Sequence, residues 1–288
     1  FLDFSLHGEE GSKPDKKQGL TDKQRSERFT ANYTGQSVEE RIKEYTMSKI
    51  DKAIEMVKYA IKRGIRFDYL LIDSWFTCAD FVRLITSRHI KCHLIGMIKL
   101  GKTKYHTQWG DLTANQIIEK LQKKGLTKHN RTLKCTYCTI DVKFAGTTVR
   151  LFFSKRGRNG QWNGLLTTDL SLSFLKAYRT YSMRWATEVA YHDCKQLLDF
   201  GKCQSVHFSA QIASFTLTMM QYNILCTVKR FEAYETIGAL FRDITGNTLE
   251  LSVTDRIWEL ILDTILEIAE MISADASELL RSRSEERR

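Results

Sequence analysis

The chain of 288 residues has a single proline, Pro14, and shows no Gly-X-Y period, heptad array or repeat of fixed length. These absences exclude collagen-like, coiled-coil and repeat architectures, which depend on such periods. The sequence also lacks a P-loop, a GxGxxG motif and a nucleophile elbow. It therefore shows none of these signatures of nucleotide-binding domains and α/β-hydrolases. Because hydrophobic residues make up 42% and aromatic residues 11% of the chain, its composition is that of a globular protein.

Signals for disulfides and membranes are weak as well. The seven cysteines are odd in number and irregularly spaced, unlike the framework of a small secreted protein, and this predicts a reducing, cytoplasmic location. The one candidate for a membrane span, Ser209–Val228, carries Gln, Asn, Ser and Thr side chains along its length. Such polar groups do not suit a lipid-facing helix. We therefore expect a buried core helix there, and no membrane partner.

The first 64 residues are predicted to contain a strand end, a loop and a helix. FLDFSL at 1–6 is typical of the end of a strand, and the polar segment 8–36 reads as a loop. A helix begins at the capping box formed by Ser37 and Glu40 and stops at Gly64. Its apolar stripe should face the core and consists of Ile42, Tyr45 or Met47, Ile50, Ile54, Val57 and Ile61.

The next segment predicts an α/β layer. Two short apolar runs at 67–73 and 92–99 read as buried strands, and a helical pattern at 78–88 separates them. The order helix, strand, helix, strand is typical of parallel strands joined by helical crossovers.

The segment 99–158 is strongly basic and rich in strand patterns. It contains 14 Lys and Arg against 3 Asp and Glu, a net charge of +11, whereas the rest of the chain sums to −1. A short helix at about 113–123 precedes alternating patterns that predict strands. We interpret the segment as a basic β-rich insertion in the α/β core, and its charge favours an anionic partner such as nucleic acid.

Four regions follow from these patterns. Residues 1–98 form the first part of the α/β core, and 99–168 form the basic β-rich insertion. Residues 169–228 form the second part of the core, and 229–288 a C-terminal helical region.

Asp73 is the first candidate for a functional side chain. It lies at the C-terminal end of the strand 67–73, where ligands and catalytic groups gather in open α/β sheets. An Asp at this place is equally suited to cap the following helix, so from the residues alone both readings stand. The nearby Trp75, and Trp185 later in the chain, can stack on an unpaired base or pack in the core, and core packing is the favoured interpretation.

A predicted helix from Tyr181 places four polar side chains on one face. At about 100° per residue, Tyr181, Arg184, Glu188 and Lys195 fall within an arc of about 60°. The opposite face is apolar and is predicted to be core: Ala186, Val189, Ala190, Cys194 and Leu197. A solvated face with an Arg184–Glu188 ion pair is the alternative, and the spacing alone favours it.

The spacing Tyr-x2-Arg-x3-Glu-x6-Lys, here YSMRWATEVAYHDCK, resembles the signature of the DDE insertion-sequence transposases of the Y-R-E-K group. LLIDSWF around Asp73, LLTTDLSLS before the helix and KQLLDFGKCQS after it are similar to the same family. The resemblance extends from residue 1 to about residue 230. It implies a ribonuclease H-like catalytic core and a metal-dependent enzyme that cleaves DNA at insertion-sequence ends and transfers the strand to target DNA.

The resemblance also implies roles for single residues. Asp73 and Glu188 would be catalytic and would hold two Mg²⁺ ions, with Mn²⁺ as a substitute. Their carboxylates would lie within roughly 4–8 Å of each other. Tyr181, Arg184 and Lys195 would hold the phosphates around the scissile bond. The partners implied are double-stranded DNA, at both transposon ends and target, and a second copy of the chain, in a bacterial cytoplasm.

Three more basic residues are candidates for phosphate contacts. Lys155, Arg156 and Arg158 sit in one turn of the basic segment, where phosphate contacts and a solvated turn are equally consistent readings. Cys135-x2-Cys138 is half of a zinc pattern, but no second pair follows at the required spacing.

One part of the family's site has no match in this sequence. The family needs a further Asp on the first strand of the sheet, and Asp3, followed by a loop, does not fit that place. The expectation is that this Asp lies upstream of residue 1, so that the chain by itself is inactive. A non-catalytic DNA-binding remnant is therefore an alternative. A ribonuclease H-like nuclease is another, although the Y-R-E-K spacing speaks against it.

Overall fold

One central sheet organises the described part of the chain, with helices packed on both of its faces. The structure is a computed structural model, and it describes residues 1–5, 7, 47–88, 90–157, 159–205, 207–231, 234–250 and 261. The strands in these ranges are β1 Tyr69–Ile72, β2 His93–Ile98, β3 Lys104–Thr107, β4 Gly110–Thr113, β5 Lys128–Asn130, β6 Cys135–Phe144, β7 Thr147–Arg156 and β8 Asn163–Thr167. The helices are α1 Lys49–Lys62, α2 Ala79–Ile85, α3 Ala114–Lys123, α4 Phe174–Ser182, α5 Trp185–Leu197, α6 Phe208–Phe231 and α7 Ile237–Glu250.

The sheet is mixed and mostly antiparallel. Its strand order is β1-β2-β8-β7-β6-β3-β4, with β5 beside β6. The predicted parallel pairing of the first two strands is confirmed, since β1 and β2 are parallel. The other described pairs are antiparallel, so the fold is mixed α/β and not a layer of parallel strands alone. The ribonuclease H-like topology stays a prediction.

The strands of the basic segment belong to this same sheet. β8 pairs directly with β2, and β7 and β6 extend the sheet from there. The predicted insertion 99–168 therefore begins after β2 and ends after β8, which are neighbouring strands of one sheet, and the basic segment is continuous with the core by hydrogen bonding.

Successive residues of a strand point to opposite faces, and this divides the core into two layers. Phe153 is fully buried on the face covered by α1, α2 and α3. Its neighbour Phe152 faces the other way and packs against Phe174, Ala177 and Tyr181 of α4. The helix α4 is thereby fixed above the ends of β7 and β8.

Two helices follow local sequence rules closely. The Thr113 hydroxyl oxygen accepts from the Gln116 amide, and the Gln116 side chain accepts from the Thr113 amide, which completes a capping box at the start of α3. This agrees with the helix predicted at 113–123. The helix α1 stops before Gly64, whose φ of +82° suits glycine. Three residues of its predicted stripe, Ile50, Ile54 and Val57, pack on the core as expected.

The helix α6 corrects one prediction. It was expected to be a buried core helix, and Met219 and Leu225 are indeed buried. A second face of the same helix is mostly exposed and carries large apolar side chains: Leu217, Met220, Ile224 and Phe231. The expectation missed this because an uncharged run shows no polar stripe from which a solvent face can be recognised.

The N-terminal residues also differ from the expectation. Residues 1–5 form no strand. The amino group of Phe1 donates to Asn223 Oδ1 at 2.6 Å, and its ring lies 5.4 Å from that of Tyr222. The segment is thus held against α6 by its first residue.

Several expectations concern residues that the structure does not describe. The loop at 8–36, the helix start at Ser37 and the C-terminal region beyond Glu250, apart from Ile261, lie outside the described residues. Among the residues that are described, no helix has the length and apolar character needed to span a membrane.

Candidate functional site

A cavity of about 670 Å³ opens where β2 and β7 end and β8 begins. Because these strands are antiparallel neighbours, β7 brings its last residues to the same edge of the sheet as the first residues of β8. The helix α4 and the start of α5 cover this edge. Side chains from all of these elements line the cavity: Met97, Ser154, Lys155, Arg156, Asn163, Leu165, Tyr178, Tyr181, Ser182, Arg184 and Trp185.

The cavity is positively charged. Lys155, Arg156 and Arg184 all contribute to its wall, and the described residues that line it include no Asp or Glu. Arg156 Nη2 donates to the hydroxyl of Tyr178 at 3.4 Å. Arginine forks and lysine ammonium groups bind phosphate well, so this surface is suited to an anionic ligand. Of the predicted turn cations, Arg158 lies outside the described residues.

Aromatic side chains accompany these cations. Trp185 lines the cavity and is 63% exposed. Trp75 is 59% exposed, and Lys99 Nζ lies 4.6 Å from the centre of its ring. The favoured expectation that both tryptophans pack in the core was wrong, because most of each side chain is exposed. Exposed indole rings offer a face on which a planar base can stack.

The Tyr-Arg-Glu-Lys residues do not share one helix. Tyr181 lies in α4, whereas Glu188 and Lys195 lie in α5, and Arg184 is the residue before α5. Between the helices the amide of Arg184 donates to the carbonyl of Tyr181, three residues back. Bonds over three residues wind the chain more tightly than an α-helix, so the rotation from Tyr181 to Arg184 is no longer about 100° per residue. The Arg184 guanidinium nevertheless lies 5.8 Å from the centre of the Tyr181 ring.

This break changes the surroundings of Tyr181. It is buried, with 8% of its surface exposed, instead of lying on a solvent face. Burial raises the pKa of Tyr181, and the nearby negative charge of Asp73 acts in the same direction, while the cation of Arg184 opposes both. The Tyr181 hydroxyl is enclosed and forms no hydrogen bond of good geometry with the described residues, although Arg184 and the backbone of Met97 interact with it. On the predicted apolar face of α5, Ala190 and Cys194 are buried, but Ala186 and Val189 are exposed.

Arg184 and Glu188 form the ion pair considered from the sequence. Arg184 Nη2 donates to Glu188 Oε1 at 2.6 Å. Arg184 Nε is enclosed and has no partner at good hydrogen-bond geometry among the described residues, while the guanidinium interacts with Tyr181. Lys195 is exposed on α5 and is not among the residues that line the cavity.

Asp73 occupies the predicted strand end. Its Oδ1 accepts hydrogen bonds from the amides of Trp75 at 2.7 Å and Phe76 at 3.3 Å. The hydroxyl of Thr77 donates to the Asp73 carbonyl at 2.8 Å, and Gly96 leaves the space that Thr77 fills. The side chain therefore caps a turn and not the following helix α2, whose N-cap is Cys78. The charge of Asp73 acts on Tyr181, a residue that lines the cavity.

A metal site was also expected from Asp73 and Glu188. Among the described residues, no group of three or more His, Cys, Asp or Glu side chains is arranged to hold a metal ion. Within that part of the chain, Cys135 and Cys138 are buried free thiols. A site for two Mg²⁺ ions does not fit the described residues, because it needs more ligands than two carboxylates.

Sequence reasoning missed Asp169, a carboxylate at the opposite edge of the sheet. It follows β8 and accepts hydrogen bonds from the Tyr69 hydroxyl at 2.7 Å and the Ser171 hydroxyl at 2.6 Å. Burial raises the pKa of Asp169, but the bonds from Ser171 and Tyr69 outweigh it, so the pKa lies below its ordinary value. The sequence did hold a signal, because LLTTD ends in Asp as LLID does.

The hydrogen bond from the Tyr69 hydroxyl to Asp169 predicts a loss of stability at alkaline pH. The hydrogen bond to Asp169, with burial and nearby charges, raises the pKa of Tyr69 from 10.0 to about 12. The unfolded chain therefore loses this proton before the folded chain does, and the free energy of unfolding should fall as the pH rises from about 10 towards 12. Urea unfolding across this range should show a smaller loss for Tyr69→Phe. Part will persist, since burial raises the pKa of Tyr105 to about 12 as well.

The matched control is Tyr59→Phe, at an exposed tyrosine on α1. It should keep the alkaline loss of the parent chain. An identical pH profile for Tyr69→Phe and Tyr59→Phe would contradict the role given to the Tyr69–Asp169 contact.

Comparison with known proteins gives a partial structural likeness and no match in sequence. No family model and no curated protein matches the chain. Among solved structures, it is similar to a piggyBac transposase in a synaptic complex with hairpin DNA, at 13% identity and a TM-score of 0.42. The match covers 74% of this chain and 44% of that one, so this chain spans less than half the length of that transposase.

Proposed function

We propose that this chain binds double-stranded DNA and is the catalytic domain of a transposase that cleaves insertion-sequence ends and joins them to target DNA. The observation that carries the proposal is the cavity in which Lys155, Arg156 and Arg184 meet aromatic side chains without a lining carboxylate. The assignment to the Y-R-E-K group, with its ribonuclease H-like core, rests on the sequence motif. Pairing of two copies on DNA, in a bacterial cytoplasm, belongs to the same proposal.

The residues of the cavity have distinct tasks in this proposal. Arg156 and Arg184 present planar forks that bind phosphate through two hydrogen bonds, while Lys155 supplies a point charge. Trp185, with most of its ring exposed, stacks on a base that has left the duplex. Lys195 extends the positive surface along α5 towards the next phosphate.

Asp73 and Glu188 are the proposed catalytic carboxylates. We expect Mg²⁺, or Mn²⁺ in its place, to be required for cleavage. Since the described residues do not form a complete metal site, at least one further ligand must come from outside them.

A non-catalytic DNA-binding function is the second candidate. The lack of a three-residue metal cluster in the described part of the chain favours it. Incubation with plasmid DNA and Mg²⁺ or Mn²⁺ separates the two candidates: nicking that Asp73→Asn abolishes supports the enzyme, whereas binding without nicking supports the second function.

DNA affinity tests the cavity directly. We expect the double variant Lys155→Gln, Arg156→Gln to bind a DNA duplex about tenfold more weakly, with the salt dependence of log affinity reduced by about two. Fluorescence anisotropy at several salt concentrations measures both quantities. The control is Lys58→Gln, Lys62→Gln, which removes two exposed lysines from α1, a helix that contributes nothing to the cavity. Equal behaviour of the two double variants would refute the proposed use of the cavity.

A further inference from the structure

Arg184 is placed between two anionic partners, the Glu188 carboxylate and the space of the cavity. We infer that it exchanges one for the other. Without DNA, Arg184 pairs with Glu188; when a DNA phosphate enters the cavity, the guanidinium turns to the phosphate and releases the Glu188 carboxylate. This inference rests on the proposed function, because it takes the anion in the cavity to be a phosphate of DNA.

The ion pair is close but open to competition. Arg184 Nη2 and Glu188 Oε1 are 2.6 Å apart, while the two side chains are 27% and 40% exposed. Ion pairs that remain in contact with water contribute little to stability. The pair uses one guanidinium nitrogen, Nη2, and one carboxylate oxygen, whereas a phosphate can accept from both arms of the arginine fork, so it can displace the carboxylate.

The DNA-free arrangement leaves Arg184 and Tyr181 with poorly placed partners. Arg184 Nε and the Tyr181 hydroxyl are enclosed and have no partner at good hydrogen-bond geometry among the described residues, although the two side chains interact with each other. Buried donors without well-placed acceptors are unfavourable. Both residues line the same cavity, so a rotation of Arg184 towards a phosphate would supply acceptors for its guanidinium and uncover the phenol as a second donor.

The position of the pair on α5 favours the exchange. Arg184 is the residue that precedes this helix, and Glu188 lies in its first turn. The N-terminal end of a helix carries partial positive charge, which is unfavourable for a cation and favourable for a carboxylate. When Arg184 moves away, the helix end therefore still stabilises Glu188 as an anion.

A double-mutant cycle on DNA affinity tests the exchange. Glu188→Gln weakens the hold on Arg184, so it should tighten binding to a DNA duplex by about two- to fivefold. Arg184→Gln should weaken DNA binding. When Glu188→Gln is added to Arg184→Gln, DNA affinity should rise only by the amount expected from the removal of any one negative charge. That gain is measured with Asp199→Asn, at an exposed Asp paired with Lys202. Circular dichroism and thermal unfolding check that each variant is folded, and Arg184→Lys provides a variant that keeps the charge without the fork.

The results distinguish failure of the exchange from failure of the proposed function. If Glu188→Gln tightens binding equally with and without Arg184, or no more than Asp199→Asn, the exchange is overturned while the proposed function stands. If the parent chain and Arg184→Gln bind DNA equally well, Arg184 holds no phosphate and the exchange is overturned; if the parent chain binds no DNA duplex, the proposed function fails together with the exchange.

Discussion

Replacing Lys120, Lys123, Lys124 and Lys128 by Glu is expected to lower DNA affinity on the order of a hundredfold at moderate salt. These lysines lie in the last turn of α3, at its end and at the start of β5. They belong to the segment 99–158, which carries a net charge of +11. Each phosphate that a lysine neutralises releases counterions, so the slope of log affinity against log salt should fall by about three to four.

The effect should be separate from that of the cavity. The helix α3 packs on the face of the sheet opposite to α4, so these lysines and the cavity residues would contact different parts of a bound DNA. Losses in binding free energy from the two sets should then add.

The quadruple variant needs a control because two of its lysines contact an aromatic ring. Lys120 and Lys124 have Nζ atoms 5.5 and 4.7 Å from the ring of Trp109, so their loss can disturb local packing. The pair Lys123→Glu, Lys128→Glu avoids this contact and should give about half of the change in slope. Lys58→Glu, Lys62→Glu on α1 is the matched control. A slope that stays the same in the quadruple variant would mean that the basic segment is only a solvated surface.

The second large effect concerns stability. Phe153→Ala should reduce the free energy of unfolding by about 3–5 kcal/mol, because it leaves a cavity at the centre of the sheet. Phe153 is fully buried in β7 and faces α1, α2 and α3. Urea unfolding monitored by circular dichroism gives the change in free energy.

The same substitution at an exposed site is the control. Phe231 ends α6 and is 80% exposed, so Phe231→Ala should change the free energy of unfolding by less than about 0.5 kcal/mol. If both variants lost similar stability, the burial assigned to β7 would be wrong.

Local sequence rules determined several elements of the fold. The apolar runs 67–73 and 92–99 gave the parallel pair β1 and β2, and a helix at 113–123 followed from spacing alone. Asp73 at a strand end was likewise visible, since the place of a residue in a strand is a property of its neighbours in sequence. Interactions of this kind extend over four residues or fewer, so one sequence is enough to predict them.

Only the tertiary structure decided which of these residues meet. The cavity joins β2, β7, β8, α4 and α5, and the Tyr69–Asp169 bond links residues 100 positions apart. The chain divides into two helices before Trp185, Tyr181 is buried with Phe152 and Phe174, and Trp185 is exposed, where a single continuous helix had been expected. Periodicity cannot show such outcomes, because burial depends on the elements that cover a surface, and those come from distant parts of the chain.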